Sequence, residues 1–344
     1  MKIEMKFKKS ILFRISGGSA KNQELGLGHI YRALNLSMNL VEYQIHFLVQ
    51  DYGGSLDVLK KIDKKFIHKL NVNISLDEDV KTTCKLIKKE KIDLLIIDKF
   101  DRVTKPYAMA MKKIVKTIVI SDTDKIDYNT DLVVNGFVGF ANSIKKNRFG
   151  TKCLLGPKYQ ILSKEYEKNN IKEKNPETIL VTFGGYDNLK LVELFCKQMI
   201  RYIGSLKIKI ILGSSTKKTK KLINLESKFD NLSIVNTSLN FKNDIKNSKF
   251  VFCAGGISTY EFAILHVPFA IICQYKHQLK TARIWRKNRV ALNFGFKSKI
   301  LEKRLESKLL NLSRNSSEVN FDTNFKIDGF GSKRVSLEIK KLLQ

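Results

Sequence analysis

The sequence has no closely spaced pair of cysteines, no apolar run of membrane-spanning length, and only 33 acidic residues against 63 lysines and arginines. Each lack excludes something. Cys84, Cys153, Cys196, Cys253 and Cys273 stand far apart, three of them within apolar runs, so a disulfide scaffold is excluded and buried free thiols in a reducing compartment are expected. The longest apolar run, Val267 to Cys273, falls far short of a bilayer's thickness. At the N-terminus the basic stretch Met1 to Ser10 is followed only by Ile11-Leu12-Phe13 before Arg14, too little for a signal-peptide core. A soluble, cytoplasmic protein is the expectation.

What is present suffices for two domains, since 344 residues at 43% hydrophobic content build ordinary cores. The net charge of +30 suits a polyanion, whether nucleic acid, a membrane surface or a phosphorylated substrate. The basic residues are spread along the whole chain, however, and lysine, isoleucine and asparagine are abundant throughout, so compositional bias accounts for the charge better. No nucleic-acid-binding motif accompanies it, and no nucleic acid partner is expected. A weak peripheral membrane contact is the polyanion contact that stays open.

Short β-rich runs alternate with amphipathic stretches, which predicts parallel sheets covered by helices. Strands are expected over Ile11 to Ile15, Gln44 to Val49, Leu94 to Ile97 and Thr117 to Ile120, and helices over Ile30 to Leu40, Val80 to Lys89 and Tyr107 to Ile114. From Asn142 to Glu177 the pattern breaks into a polar segment with Pro157, Pro176 and the charged stretch Lys164 to Lys174. It restarts with a strand at Thr178 to Thr182, a helix at Asn188 to Ile203, and strands at Lys207 to Leu212, Leu232 to Val235, Phe250 to Cys253 and Phe269 to Cys273. The expected organisation is α/β: a Rossmann-like domain over 1–150, a linker over 151–177 and a second Rossmann-like domain over 178–344, facing one another across a cleft.

In such sheets ligands sit at the carboxyl ends of strands, so the loops there are the candidate sites. The first is Gly26-Leu27-Gly28-His29-Ile30-Tyr31-Arg32, which lacks the third glycine of a dinucleotide fingerprint and the Gly-Lys-Ser/Thr of a P-loop. What it offers is a histidine at a helix start. The helix dipole and Arg32, one turn on, both disfavour imidazolium there, so a neutral ring able to accept a proton is expected; local backbone hydrogen bonding is the alternative reading. The second loop, Asp98-Lys99-Phe100-Asp101, places a carboxylate that holds the histidine or a substrate hydroxyl, or else caps a turn. The third, Gly184-Gly185-Tyr186-Asp187, allows close backbone approach or a tight turn.

The fourth loop, Gly255-Gly256-Ile257-Ser258-Thr259-Tyr260-Glu261, presents backbone N–H groups and two hydroxyls at a helix start, a natural diphosphate cradle. Glu261 suits the two ribose hydroxyls, or a helix-start carboxylate favoured by the dipole. Lys276-His277-Gln278 adds polar groups at the same end. Asp122-Thr123-Asp124 has the D-x-D spacing of some metal-dependent glycosyltransferases and also reads as a turn. His46, His68 and His266 read as structural. No cluster has zinc spacing and no Gly-x-Ser-x-Gly elbow occurs.

Taken in order, these residues resemble the UDP-2,4-diacetamido-2,4,6-trideoxy-β-L-altropyranose hydrolases of pseudaminic acid biosynthesis and the related spore-coat polysaccharide biosynthesis proteins. The resemblance runs from about Arg14 to Phe296, through Gly26 to Arg32, Ile97 to Phe100, Leu154-Leu155-Gly156-Pro157-Lys158-Tyr159, Val181 to Gly185, Ala254 to Glu261, Pro268 and Gln278. It implies a GT-B fold with no metal and no cofactor. It also implies a UDP-linked amino sugar as substrate, with water activated by His29 and inverting C–O cleavage to UDP and free sugar. Gly256 and Ser258, with their neighbours Gly255 and Thr259, would hold phosphates, Glu261 the ribose, and His277 or Gln278 the nucleotide or sugar. Gly28, Arg32, Asp98, Phe100, Gly184 and Gly185 complete the expected substrate contacts. Phe100 stands where the family usually carries tyrosine, Ser16 where it usually carries aspartate, Ser163 where arginine is common and His277 where asparagine is frequent, so the nucleotide half is largely intact and the differences bear on the sugar. A GT-B glycosyltransferase, with a sugar hydroxyl in place of water, is the alternative.

Overall fold

The computed structural model describes residues 9–18, 26–99, 104–140, 144–167, 176–185, 187, 190–199, 202, 206–213, 216–296, 299–313 and 327–344. Its chain divides into two units, 1–164 with 329–344, and 165–328. The first unit is built on seven strands: β1 (Ser10–Gly18), β2 (Gln44–Tyr52), β3 (Ile67–Leu70), β4 (Leu94–Asp98), β5 (Lys116–Ser121), β6 (Leu132–Asn135) and β7 (Lys152–Leu155). They pair in parallel in the order β3-β2-β1-β4-β5-β6-β7. Helices α1 (Gly28–Ser37), α2 (Ser55–Val58), α3 (Leu76–Lys89) and α4 (Thr104–Lys112) form the crossovers.

Strand alternation explains the layers. Ile11, Phe13 and Ile15 of β1 turn to one face, where Ile30, Ala33 and Leu36 of α1 cover them. Leu12 with Leu95 and Ile97 of β4 turns to the other, against Leu86 and Ile87 of α3 and Tyr107 and Met111 of α4. α3 begins with a complete capping box, Ser75 and Glu78 each satisfying the other's backbone N–H.

The second unit holds β8 (Thr178–Thr182), β9 (Lys207–Ile211), β10 (Leu232–Val235), β11 (Ser248–Cys253), β12 (Phe269–Cys273) and β13 (Ala291–Phe296), in the order β10-β9-β8-β11-β12-β13. Its helices are α5 (Leu191–Met199), α6 (Lys220–Glu226), α7 (Phe241–Lys246), α8 (Ser258–Ile264), α9 (Gln278–Lys287) and α10 (Lys299–Ser313). At the start of α5 both carboxylate oxygens of Asp187 accept from the backbone, from Leu191 N (2.8 Å) and Val192 N (2.8 Å), which caps the helix. In each sheet the strand order reverses direction beside the first strand, between β1 and β4 and between β8 and β11, and in open α/β sheets ligands bind outside the carboxyl ends of the strands at such switch points.

Two features depart from the sequence expectation. The segment expected as a linker contains β7, the seventh strand of the first sheet, because Cys153 and Leu155 pack on Val133 of β6. Asn147 pins the loop ahead of it, its amide donating to the carbonyls of Ile126 and Tyr128 (both 2.8 Å). The last helix, α11 (Gly331–Leu343), belongs to the first unit and not to the second, since Val335, Ile339 and Leu343 are buried in the first unit's core. Its C-terminal carbonyls are met by lysines, Lys9 on Leu343 and Lys116 on Leu342 (2.7 Å), which also suits the helix dipole.

α11 reaches that core only because residue 331 is glycine. A Cβ there would stand 2.0 Å from the backbone oxygen of Gln160 and 2.7 Å from its carbonyl carbon, and neither atom has a flexible side chain's freedom to move aside. Gly331→Ala is therefore expected to lift the helix start off the core and to cost roughly 2–3 kcal/mol. A thermal melt checks it, and an unchanged midpoint would mean that the helix adjusts without loss.

Candidate active site

β1 runs into Gly17 and Gly18, and the chain returns at Gly26, whose carbonyl accepts from Gly18 N (3.2 Å). Gly17 has to lack a side chain, since a Cβ would lie 2.8 Å from Ile30 Cγ1 and 2.9 Å from Gly26 O. That close return puts the first turn of α1, with Gly28 and His29, at the carboxyl edge of the sheet beside the end of β4. There His29 Nδ1 lies 2.6 Å from Asp98 Oδ1. The imidazole keeps a small exposed area, with 12% of its side chain accessible, whereas Asp98 has none.

Three residues on, Arg32 donates through Nε to Asp98 Oδ2 (2.7 Å) and through Nη2 to Asp98 Oδ1 (2.5 Å), and reaches Asp122 Oδ2 with Nη1 (3.3 Å). Nη2 also lies 2.9 Å from His29 Nδ1. Hydrogen placement follows from the network. A bare Nδ1 lone pair 2.6 Å from a carboxylate oxygen would be repelled, so Nδ1 carries the hydrogen and donates to Asp98, and Arg32 spends its own donors on the two carboxylates. This tautomer leaves the Nε2 lone pair free, an acceptor oriented by a buried acid. Burial alone would raise the Asp98 carboxyl, but Arg32 and the His29 contact outweigh it and hold it below the ordinary carboxylate range. Burial likewise opposes the Arg32 charge, and Asp98 with Asp122 more than restores it.

Arg32 and Asp98, expected among the substrate contacts, are thus turned inward: both are buried, and they spend their polar atoms on each other and on His29. Asp122, half of the D-x-D spacing, faces Arg32. Among the described residues no group of three or more His, Cys, Asp or Glu side chains is placed to share a metal ion. His46 of β2 is buried beside His68 of β3, Nδ1 to Nε2 3.2 Å, in the sheet's edge and away from its carboxyl end. Phe100, Asp101 and Tyr186 lie outside the described residues.

In the second unit four loops converge at the switch point. Gly213, after β9, sits so close to Gly184 and Gly185 that a Cβ would meet Gly184 O at 2.0 Å. Gln274, after β12, donates its amide to Phe183 O (2.5 Å) and its own backbone N–H to Gln278 Oε1 (2.9 Å). Gln278 Cβ in turn lies 2.9 Å from where a Gly255 side chain would begin. Gly184, Gly255 and Gln278 therefore hold one another as a single backbone-lined surface, with Gly256 exposed at its rim. Gln278 is buried and closes this turn, and Thr259 is fully buried with its hydroxyl on Gly256 O (2.7 Å), so both shape the loop instead of presenting a polar group outward. His277 is exposed, stacked on Tyr275 with ring centroids 5.7 Å apart and planes 7° from parallel.

Glu261, one turn into α8, accepts hydrogen bonds from Ser258 and from Tyr166, the latter in the helical turn Lys164–Glu167. Burial, reinforced by the nearby Glu165 carboxylate, raises its pKa from 4.5 to about 7 against the pull of those two hydrogen bonds. Tyr166 is a partner that nothing in the sequence pattern announces, because it sits nearly a hundred residues before Glu261 in the segment expected as a linker.

No family model matches the chain. Over 271 residues it is 26% identical to an uncharacterized protein of Methanocaldococcus jannaschii, covering 74% of this chain and 54% of that protein, so the chain spans about half the length of that relative. Over 287 residues it is 24% identical to the spore coat polysaccharide biosynthesis protein SpsG of Bacillus subtilis, covering 79% of this chain and 80% of that one. Among solved structures, MurG of Acinetobacter baumannii is similar with a TM-score of 0.66 at 14% identity, over 96% of this chain and 99% of its own. A UDP-GlcNAc 2-epimerase from Neisseria meningitidis, bound to UDP-GlcNAc, gives 0.60 at 12% identity, over 96% and 100%. In architecture the chain is GT-B-like, with two Rossmann-like parallel-sheet units, and in sequence it resembles the spore-coat polysaccharide biosynthesis proteins.

Proposed function

We propose that the chain is a nucleotide-sugar hydrolase, which cleaves a UDP-2,4-diacetamido-2,4,6-trideoxyhexose-type substrate with water into UDP and free amino sugar for surface polysaccharide or nonulosonic acid biosynthesis. The observation that carries this reading is the His29–Asp98 dyad at the switch point of the first sheet, with its Nε2 lone pair free. UDP is already a good leaving group, so the reaction needs little beyond a base for water and a surface that bears diphosphate charge. In the proposed step Nε2 takes a proton from water as its oxygen bonds to the anomeric carbon. The bond from that carbon to the diphosphate oxygen breaks with inversion, and its electron pair leaves with UDP. Backbone N–H groups at Gly255 and Gly256 are assigned to the diphosphate, with the Ser258 hydroxyl once it turns from Glu261; Glu261 is assigned to the ribose hydroxyls, and His277 to the rim of the nucleotide site. The bound ligand named for the Neisseria epimerase, UDP-GlcNAc, supports a UDP-sugar as the ligand class.

Incubation with a panel of UDP-diacetamido sugars and no acceptor, followed by anomeric NMR, tests the reading. Stoichiometric free sugar of inverted configuration is expected. The similarity to a spore coat polysaccharide biosynthesis protein favours a second reading, transfer of the sugar to a saccharide hydroxyl, and sugar release that requires an added acceptor would select it.

The ribose assignment makes a pH prediction. Glu261 holds its proton with a pKa of about 7 against an ordinary 4.5, so the fold loses stability as pH rises from about 4.5 to about 7. Two ribose hydroxyls donating to the carboxylate favour its ionised form. UDP binding then releases a proton, and below pH 7 its affinity falls by up to about tenfold per pH unit beyond the share due to UDP's own phosphate. Glu261→Gln removes that extra slope and weakens binding at pH 8. Calorimetric titration of UDP from pH 5.5 to pH 8 reads both, and equal slopes in the two proteins would reject the ribose contact.

A further inference from the structure

Asp122 is the outward-facing end of the network around His29. Arg32 and Asp98 are buried, whereas Asp122, the first residue after β5, keeps 36% of its side chain exposed at the carboxyl edge of the sheet. One oxygen ties it to the network. Oδ2 accepts from Arg32 Nη1 at 3.3 Å, and the other terminal nitrogen of that guanidinium, Nη2, lies 2.9 Å from His29 Nδ1. Among the described residues Oδ1 has no hydrogen-bond partner.

A turn aspartate is bonded differently. Asp51 and Asp63 each accept from a backbone N–H two residues on, at Gly53 (2.9 Å) and Lys65 (3.1 Å), and so pin their own turns. The loop that Asp122 opens is pinned from elsewhere. Asn135, buried at the end of β6, donates its amide to Thr123 O (2.7 Å) and Lys125 O (3.1 Å), and Lys125 N reaches Thr123 Oγ1 (3.4 Å). Arg32 has its principal partner in Asp98, which takes two of its donors at 2.7 and 2.5 Å. Asp122 is thus a carboxylate fixed in place by its loop, with one oxygen that neither the turn nor the ion pair uses.

The chemistry of that oxygen decides what it binds. A carboxylate accepts hydrogen bonds and repels a diphosphate, so beside His29 it suits the uncharged end of a nucleotide sugar. A 2,4-diacetamido-2,4,6-trideoxyhexose offers few donors: an amide N–H at C2, another at C4, and the hydroxyl at C3. We propose that Asp122 is a substrate-binding residue whose Oδ1 accepts the N–H of an acetamido group, which selects sugars acylated on nitrogen. The proposal deepens the reading above and rests on it for the class of sugar, but its test is a binding measurement, indifferent to whether water or a saccharide receives the sugar.

The parent for that test is the full chain carrying His29→Ala, in which turnover is slow, and calorimetry reads its Kd for the UDP-diacetamido sugar and for UDP. Adding Asp122→Asn leaves a carbonyl on Arg32 and turns an NH₂ outward, a donor against a donor. Binding of the sugar nucleotide is expected to weaken by about 10- to 100-fold, and binding of UDP by less than about twofold. Two analogues locate the donor, each with one acetamido N–H replaced by an ester oxygen. One of them is expected to bind the parent about 10- to 100-fold more weakly than the diacetamido compound and to lose nothing further on Asp122→Asn. If the variant weakens binding and neither ester does, the contact is to the ring hydroxyl and the amide assignment is overturned. Unchanged affinity for the sugar nucleotide overturns the proposal altogether. With His29 in place, Asp122→Asn is expected to raise KM and to leave kcat within about threefold; a fall in kcat at unchanged sugar affinity overturns the contact and makes Asp122 a support for Arg32. Asp122→Ala, which removes the carboxylate without adding a donor, is read by the same criteria should the asparagine variant not fold. If the wild type releases sugar only when an acceptor is added, the hydrolase reading falls and the Asp122 contact stands on its affinities.

Discussion

Replacing His29 by alanine is expected to lower kcat for UDP-sugar cleavage by about 10²- to 10⁴-fold while leaving UDP affinity nearly unchanged. The substitution removes the one Nε2 acceptor and little else. Asp98 keeps both bonds to Arg32, at 2.7 and 2.5 Å, so no buried charge is orphaned and the end of β4 stays held. UDP is assigned to loops of the second unit, and His29 belongs to the first. Steady-state turnover together with calorimetric UDP binding checks both halves of the expectation. A variant with the wild-type rate would eliminate the base, and one that no longer binds UDP would move His29 into the nucleotide site.

Asp98→Asn acts on the same ring without removing it, and its expected effect is of similar size. The amide still accepts from Arg32 on one side, but its NH₂ now faces His29 Nδ1. Nδ1 must become the acceptor, the ring hydrogen moves to Nε2, and the lone pair that would take water's proton is gone, for a loss in kcat of about 10²- to 10⁴-fold. Stability falls as well. Arg32 is 2% exposed and would retain only Asp122, at 3.3 Å, as a charged partner, and weakening a buried ion pair from one side costs on the order of 3 kcal/mol. Turnover measured well below the variant's melting point separates the two effects. A rate within threefold of wild type would show that the tautomer is immaterial to the chemistry.

Much of this arrangement was legible beforehand, for a physical reason that differs by element. Strands such as Leu94–Asp98 and Phe269–Cys273 are buried on both faces in a parallel sheet, so they appear as unbroken apolar runs bounded by polar loops. β7 did not, because an edge strand of four residues beginning with a lysine carries little pattern, and its place is decided by Val133 and by the turn that Asn147 ties. The stretch that forms α11 was expected with the second domain, over 178–344, and packs in the first unit's core, since amphipathic spacing says which face is buried and nothing about which sheet buries it. The glycine loops were found by their composition. That Thr259 and Gln278 face inward, and that Tyr166 meets Glu261, follows from side-chain directions that composition does not encode.

By itself the sequence determined the class of fold, two alternating β/α units, and pointed to the two loop clusters to which the proposed site is assigned, because hydrophobic periodicity and glycine punctuation are local properties of the chain. It also named His29 and Asp98. Only the tertiary structure decided that these two residues, separated by 69 positions, form a hydrogen bond, and that Arg32 serves Asp98 instead of a ligand. The same holds for Arg14, Asp79 and Lys99 behind the sheet. Each of these charges is affordable in a buried position only if a partner stands within hydrogen-bonding distance, and parallel strand order, which no short-range pattern specifies, is what brings the partners there.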